Sequence, residues 1–259
     1  MSITRDSAGS ATEAAHAFFT AVEGLVTLMP GGRSRTGRHS TRLLATGLPV
    51  ATLNGVFAGG TEPDADEVAE FARSMTGGDL PWCIQVRGEP GPAVAGIAAG
   101  HGLVRRHVLP LMVRTAARPV PAPGPYPVHR VGDGDRQVYA ETLAAGFEAP
   151  VDVMAAFASP AILEAPWAAA YLVRNEGEPV ATGFGARAGE HIGVFNIATP
   201  PRHRRRGYGR AVTEAILRDG FAAGARSAFL QASDEGYSLY ESLGFRTVET
   251  WTYFVPEGH

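Results

Sequence analysis

Four arginines and two glycines crowd into one stretch of the chain, "TPPRHRRRGYGRAVTEAIL", Thr199 to Leu217. Arg204, Arg205, Arg206 and Arg210 surround Gly207 and Gly209, and an apolar pattern of helical period follows. Those residue types at that spacing suit an anion. A glycine turn that opens a helix aims several unpaired backbone N–H groups one way, and the helix dipole adds roughly half a positive charge there. Glycine lets the backbone approach a phosphate without a Cβ in between. Arginine adds charge and bidentate reach. Two familiar phosphate loops do not fit. No Gly-Lys-Ser/Thr follows, and Val212 stands where a dinucleotide fold wants glycine or alanine. Nucleic acid is the weaker alternative anion, because the basic run lacks interleaved aromatics and the chain carries a net charge of −3.

The elements that must hold this loop can be read on both sides of it. "HIGVFNIAT" reads as the strand entering the loop, and Gly207 to Ala223 as the helix leaving it, with Val212, Ala215, Ile216 and Phe221 on or near one face. "AAAYLVRN", "PVATGFGARAG" and "HIGVFNIAT" make an antiparallel meander, turned at Glu176-Gly177-Glu178 and at Gly189-Glu190. "YPVHRV" is a strand before it; Asp135 to Phe147 and Val151 to Ala158 are helices parted by Pro150. "RSAFLQAS" is a strand, Glu235 to Leu243 a helix ending at Gly244, and "RTVETWTYFV" a last strand.

The seam of the chain is "ARPVPAPGPYP", whose prolines favour extended, semi-rigid backbone. Before it, Ala11 to Leu28 reads helical, and "TRLLAT" and "VATLNGVF" read as strands joined at Gly47-Leu48-Pro49. "DADEVAEFARSM" is a helix opened by acids, "PWCIQVR" a strand, Ala93 to Ala99 a helix and "LVRRHVLPLMV" a strand. "GGRSRTGRHSTR", without apolar period, reads as a mobile surface loop, with a substrate lid as its functional alternative. Both halves end strand, helix, strand.

With 259 residues, 45% of them apolar and 19% charged, the chain is long enough for two domains with their own cores, and is neither disordered nor fibrous. The single Cys83, in the apolar run "LPWCIQV", excludes an intrachain disulfide and reads as a structural thiol. Scattered histidines give no metal-ligand spacing. The first residues lack a basic segment followed by an apolar core, and no run is long enough to span a bilayer, so the expectation is a cytoplasmic protein with no membrane partner.

"IATPPRHRRRGYGRAV" resembles motif A of the GCN5-related N-acetyltransferases (GNAT), Arg/Gln-x-x-Gly-x-Gly/Ala, filled by Arg204, Gly207 and Gly209, with Pro201 where that family commonly has a proline. About thirty residues on, "SLYESLGFRTVET" resembles the family's motif B. The resemblance covers about Val128 to Val255. "GLPVATLNGVF" with the "PW…PLMV" pattern resembles the degenerate first half of tandem members. It implies an α+β protein of two tandem GNAT-like folds, each a mixed, mainly antiparallel sheet flanked by helices. Residues 1–118 would be a degenerate domain without a coenzyme loop, 119–127 a Pro-rich linker and 128–259 the catalytic domain.

The resemblance also implies a reaction, transfer of an acetyl group from acetyl-CoA to an amine by direct attack. The backbone from Arg204 through Arg205, Arg206, Gly207, Tyr208, Gly209 and Arg210 would hold the pyrophosphate. Ile197, Ala198 and Thr199 would align the pantetheine arm and thioester, and one backbone N–H there would polarise the thioester carbonyl. Tyr240 takes the general acid's place, with Tyr237, one turn away, as the alternative. At reference values a phenol near ~10 protonates a thiolate near ~8.5 uphill by roughly 2 kcal/mol.

Ser233 stands where many members bind the coenzyme arm through asparagine. Gly193 stands near the glutamate base of histone-acetylating members, and Glu190 and His191 near it read as solvated. Without a side-chain base, an α-amine near ~7.8 is easier to use than a lysine near ~10.4, by roughly 3.5 kcal/mol. The acceptor expected is a small-molecule or peptide amine. Phe147, Phe157, Trp167 and Phe195 either line its pocket or pack the core. The first half is a candidate homodimer surface or cleft wall, and Asn54 a turn or bulge residue. A non-catalytic acyl-CoA-binding sensor or scaffold is the alternative from another class.

Overall fold

The structure is a computed structural model that describes residues 5–258, with side chains from residue 9 onward. In chain order the elements are α1 (Arg5–Leu28), β1 (Arg33–Thr36), β2 (Thr41–Ala45), β3 (Asn54–Ala58), α2 (Ala65–Met75), β4 (Cys83–Arg87), α3 (Pro92–Gly100) and β5 (Arg105–Thr115). After the Pro-rich stretch come β6 (Val128–Arg130), α4 (Arg136–Phe147), α5 (Val151–Ala155), α6 (Pro160–Leu163), β7 (Ala168–Asn175), β8 (Glu178–Ala188) and β9 (His191–Ala198). The chain ends with α7 (Tyr208–Ala222), β10 (Ser227–Gln231), α8 (Asp234–Ser242) and β11 (Arg246–Val255). It divides into two compact units. Unit 1 takes the described residues of Met1–Met112, Gln231–Ser233 and Thr247–His259, and unit 2 takes Val113–Leu230 and Asp234–Arg246. No helix among the described residues is long and apolar enough to cross a membrane.

The strand order in unit 1 is β1-β2-β3-β4-β11-β5. Its membership does not follow the linear boundary that the Pro-rich stretch suggests, because β11 pairs antiparallel with β4, Trp251 opposite Arg87 and Tyr253 opposite Gln85. Packing explains the membership. Trp251 stacks on Phe19 of α1 at 5.3 Å and meets Phe18 edge-on at 4.9 Å. On the other face Phe254 joins Val56, Ile84 and Val86 under Val68, Phe71 and Val94 of α2 and α3. The stretch expected as a mobile loop is ordered instead. Arg33–Thr36 forms β1, antiparallel to β2. Arg35 lies 4.0 Å over the Phe71 ring and 2.7 Å from Glu70. Glu67 accepts from the backbone N–H of His39 and Thr41. Ladder bonds and a capping carboxylate hold what apolar period did not announce.

Asn54 is fully buried, and its side chain ties the turn before it. Its Oδ1 accepts from Thr46 N at 3.0 Å, and its Nδ2 donates to the carbonyls of Leu48, Val50 and Pro81. That is a turn residue's work. Cys83 is buried too, and desolvation pushes its thiol well above the usual range, as a structural thiol requires.

In unit 2 the order β10-β9-β8-β7-β6 places the meander beside one parallel neighbour. Glu176 and Gly177 both take positive φ, 51° and 84°, as a tight two-residue hairpin turn needs. Helices α4 and α7 take opposite faces of β8. A Cβ on Gly183 would meet Val212 and Ile216 of α7, whereas Ala198, paired with Thr182 next to it, lies against Gly146 of α4. Both units are mixed, mainly antiparallel sheets flanked by helices, the α+β class expected.

Candidate active site

Strands β9 and β10 run parallel, and pair at only three positions, Ser227–His191, Ala228–Ile192 and Phe229–Gly193. Val194 to Ala198 continue without β10. A bulge accompanies the parting. Its register shift lies opposite Thr182–Phe184, Asn196 adopts φ 51°, and Thr182 Oγ1 donates to the Asn196 carbonyl at 3.1 Å. A bulge bends its strand and raises the local twist, which carries β9 away from its neighbour. Beyond the parting, the β9 edge that includes Ile197 and Ala198 has no β10 residue paired to it. Thr199 follows at its end.

The loop beyond Thr199 is built as its residue types suggest. The Arg204 N–H is spent on the Pro201 carbonyl at 3.2 Å and the Ala211 N–H on Gly207 at 3.0 Å. Between them, the amides of Arg205 to Arg210 donate to no group among the described residues. Positive φ at Arg205 (66°) and Gly207 (90°) turns successive N–H groups to one side, a concavity for an anion, and α7 starts immediately after. Arg205 and Arg206 are exposed and meet no partner among the described residues. The Arg210 guanidinium donates to Ser242 Oγ at 2.6 Å, and Tyr208 is buried edge-on to Tyr126 at 4.6 Å. A Cβ on Gly209 would make only ordinary contacts with Leu239, Ile197 and Thr199, so no neighbouring residue demands glycine there.

Arg204 departs from a rim role. Its guanidinium turns inward to the carbonyls of Thr199 and Gly146 and to Glu148, each at 3.2 Å, and lies 3.7 Å from Glu235. Sequence reasoning missed Gly146 and Glu148 altogether. No local signal links residues 58 and 56 positions from Arg204, and only the packed end of α4 brings them there.

Tyr240 lies on α8, which is held against the loop by the Arg204–Glu235 and Arg210–Ser242 contacts and by Leu239 beside Gly209. Its ring packs on Phe245 at 6.0 Å, and burial pushes its phenol up to about 12. Tyr237 shares the helix and is half-buried. Ser233 is exposed just before α8, in the short segment that groups with unit 1. A Cβ on Gly193 would strike the rings of Phe195 and Phe229, the latter at 2.7 Å, so those rings occupy the space a base would need. Glu190 pairs with Arg226 at 3.1 Å and the His191 ring with Ser227 at 2.7 Å, at the end of β9 opposite the parting. Phe157 is buried and Phe147 half-exposed. No group of three or more metal-ligating side chains occurs among the described residues.

A parallel strand pair thus parts beside a glycine-opened helix, with a run of unpartnered amides between them. Residues 139–245 match the model of the Acetyltransferase (GNAT) family. Comparison with curated proteins finds no match. Among solved structures, the chain resembles a GCN5-related N-acetyltransferase from Kribbella flavida with TM-score 0.68 and 22% identity over 96% of each chain. A functionally unknown conserved protein from Staphylococcus epidermidis matches at TM-score 0.64 and 14% identity, covering 87% of this chain and 94% of that one. A GCN5-related N-acetyltransferase from Sphaerobacter thermophilus matches at 0.57 and 13%, covering 82% and 79%. At these identities the likeness is one of fold.

Proposed function

We propose that the protein is an N-acetyltransferase in which unit 2 binds acetyl-CoA and presents its acetyl group to a small-molecule or peptide amine. The observation that carries this reading is the run of unpartnered amides from Arg205 to Arg210 at the mouth of the parted β9–β10 pair. In this reading the amides, with Arg205 and Arg206, grip the pyrophosphate, and the free edge of Ile197 and Ala198 with Thr199 receives the pantetheine arm. A main-chain N–H of that edge polarises the thioester carbonyl as the amine attacks.

Tyr240 then protonates the departing thiolate. A phenol at about 12 faces a reference thiol with a mismatch of about 5 kcal/mol. The same dry surroundings raise a thiol as well, and that narrows the gap. The filled space above Gly193 leaves no carboxylate for the base, which favours an acceptor of low pKa, an α-amine over a lysine. It also favours the second reading, a sensor or scaffold that binds acyl-CoA without turnover.

Unit 1 is read as a degenerate copy that takes no coenzyme. Calorimetry with CoA and thiol release from acetyl-CoA across a panel of α-amines and lysine amines test these readings together. Uptake with thiol release supports the enzyme, uptake without release supports the sensor, and no uptake overturns both.

A further inference from the structure

The strongest feature that the coenzyme reading does not absorb is the Arg204 side chain. It is two-thirds buried and its donors are committed: Nε to the Thr199 carbonyl, and Nη2 to the Gly146 carbonyl and to Glu148 Oε1. Nη1 lies 3.7 Å from Glu235 in the first turn of α8. Gly146 is in the last turn of α4, where carbonyls lack helical partners, and Glu148 closes that helix in the left-handed region at φ 54°. The approach there is tight, since a Cβ on Gly146 would lie 2.7 Å from Ala198 Cβ and 3.0 Å from Thr199 N. One guanidinium therefore joins the phosphate loop, the end of β9, the start of α8 and the corner between α4 and α5. That corner exposes Phe147 and Val151, at 50% and 40%, beside Glu148.

We propose that Arg204 is a positioning residue that couples the phosphate loop to the α4–α5 corner, so that CoA in the loop orders the corner. The inference rests on the coenzyme reading of unit 2. Its physical basis is that a ligand which stiffens Arg205 to Arg210 also stiffens whatever is tied to their neighbour. Phosphate affinity stays with the amides and the two free arginines.

Hydrogen exchange of the corner amides, residues 147–155, with and without saturating CoA tests this. In the wild type CoA should slow their exchange by ~10-fold or more. Arg204→Met should keep CoA affinity within ~10-fold by calorimetry, yet lose the CoA-dependent protection. Arg204→Lys, which keeps a charged donor at the depth of the guanidinium, should restore most of it. A merely structural role would not give that pattern of rescue. Arg205→Ala with Arg206→Ala should do the reverse, weakening CoA but keeping corner protection once saturated. Persistent protection in Arg204→Met, or loss of CoA binding with Arg204→Lys no better, overturns the proposal. Uptake of no CoA by the wild type overturns the coenzyme reading and this inference with it, whereas uptake without coupling overturns the inference alone.

Discussion

The crossover β3–α2–β4 in unit 1 and the crossover β9–α7–β10 in unit 2 are the same arrangement, two parallel strands joined through a helix. They differ at the two places where chemistry would enter. In unit 2 the strands part after Phe229–Gly193, with a bulge on β9. In unit 1 they stay paired to the last residue of β3, Ala58 opposite Val86, and Arg87 closes the end by donating to the Gly59 carbonyl at 3.1 Å. The helix starts differ as sharply. Helix α7 has no acid in its first turn and three arginines around it, whereas α2 is capped by Asp64 and carries Asp66 and Glu67. A side-chain carboxylate already satisfies the helix N-terminus that a phosphate would want. One arrangement thus yields an open edge or a sealed one, depending on a bulge and the sign of a few charges.

The closed end in unit 1 offers the largest effect. Arg87 also makes a bidentate pair with Glu249 of β11, at 2.8 to 3.1 Å, both side chains nearly buried. Arg87→Ala leaves that carboxylate unpaired and should cost about 3–5 kcal/mol by denaturant unfolding. Arg87→Met with Glu249→Leu should recover most of the loss; a single variant as stable as wild type would show that the pair does not seal the edge.

On the open side, Tyr240→Phe should lower kcat by ~10²-fold with little change in acetyl-CoA affinity, read by steady-state kinetics with a competent amine. An unaltered kcat removes Tyr240 from the role and leaves Tyr237 to test. Because burial raises the Tyr240 phenol to about 12, it stays protonated through the alkaline range. An alkaline fall in kcat below pH ~10 therefore belongs to another group. Arg205→Ala with Arg206→Ala should weaken CoA by ~10-fold at low salt and less at high salt, since exposed charges are screened.

The smallest effect separates the helix starts. Burial pulls Glu67 upward, but hydrogen bonds from Thr41 and from the backbone of His39 outweigh it, and its carboxyl lies below the usual value. A depressed carboxyl stabilises the fold above its unfolded pKa of ~4.3, and that contribution fades as pH falls through the folded value. Glu67→Gln should flatten the acid limb of thermal stability by less than about 1 kcal/mol and leave CoA binding unchanged.

Much of this was legible in the residues. The meander, the strand–helix–strand order in both halves and the glycine-opened helix follow from apolar period and turn chemistry. Strand β1 was not, because "RSRT" has no apolar period and is held by Phe71, Glu70 and a ladder to β2. Nor was the membership of β11 in unit 1, since a terminal strand of either half reads alike until Trp251 meets Phe18 and Phe19.

Local chemistry was enough to predict a glycine turn opening a helix where α7 begins, because caps, turns and helix dipoles act within a few residues. It could not say which arginines of the turn stay open to solvent. Arg204 and Arg205 are neighbours of one type, yet one is drawn inward by carbonyls and carboxylates from distant segments and the other is left to solvent. That choice belongs to packing, which joins residues that the chain keeps far apart.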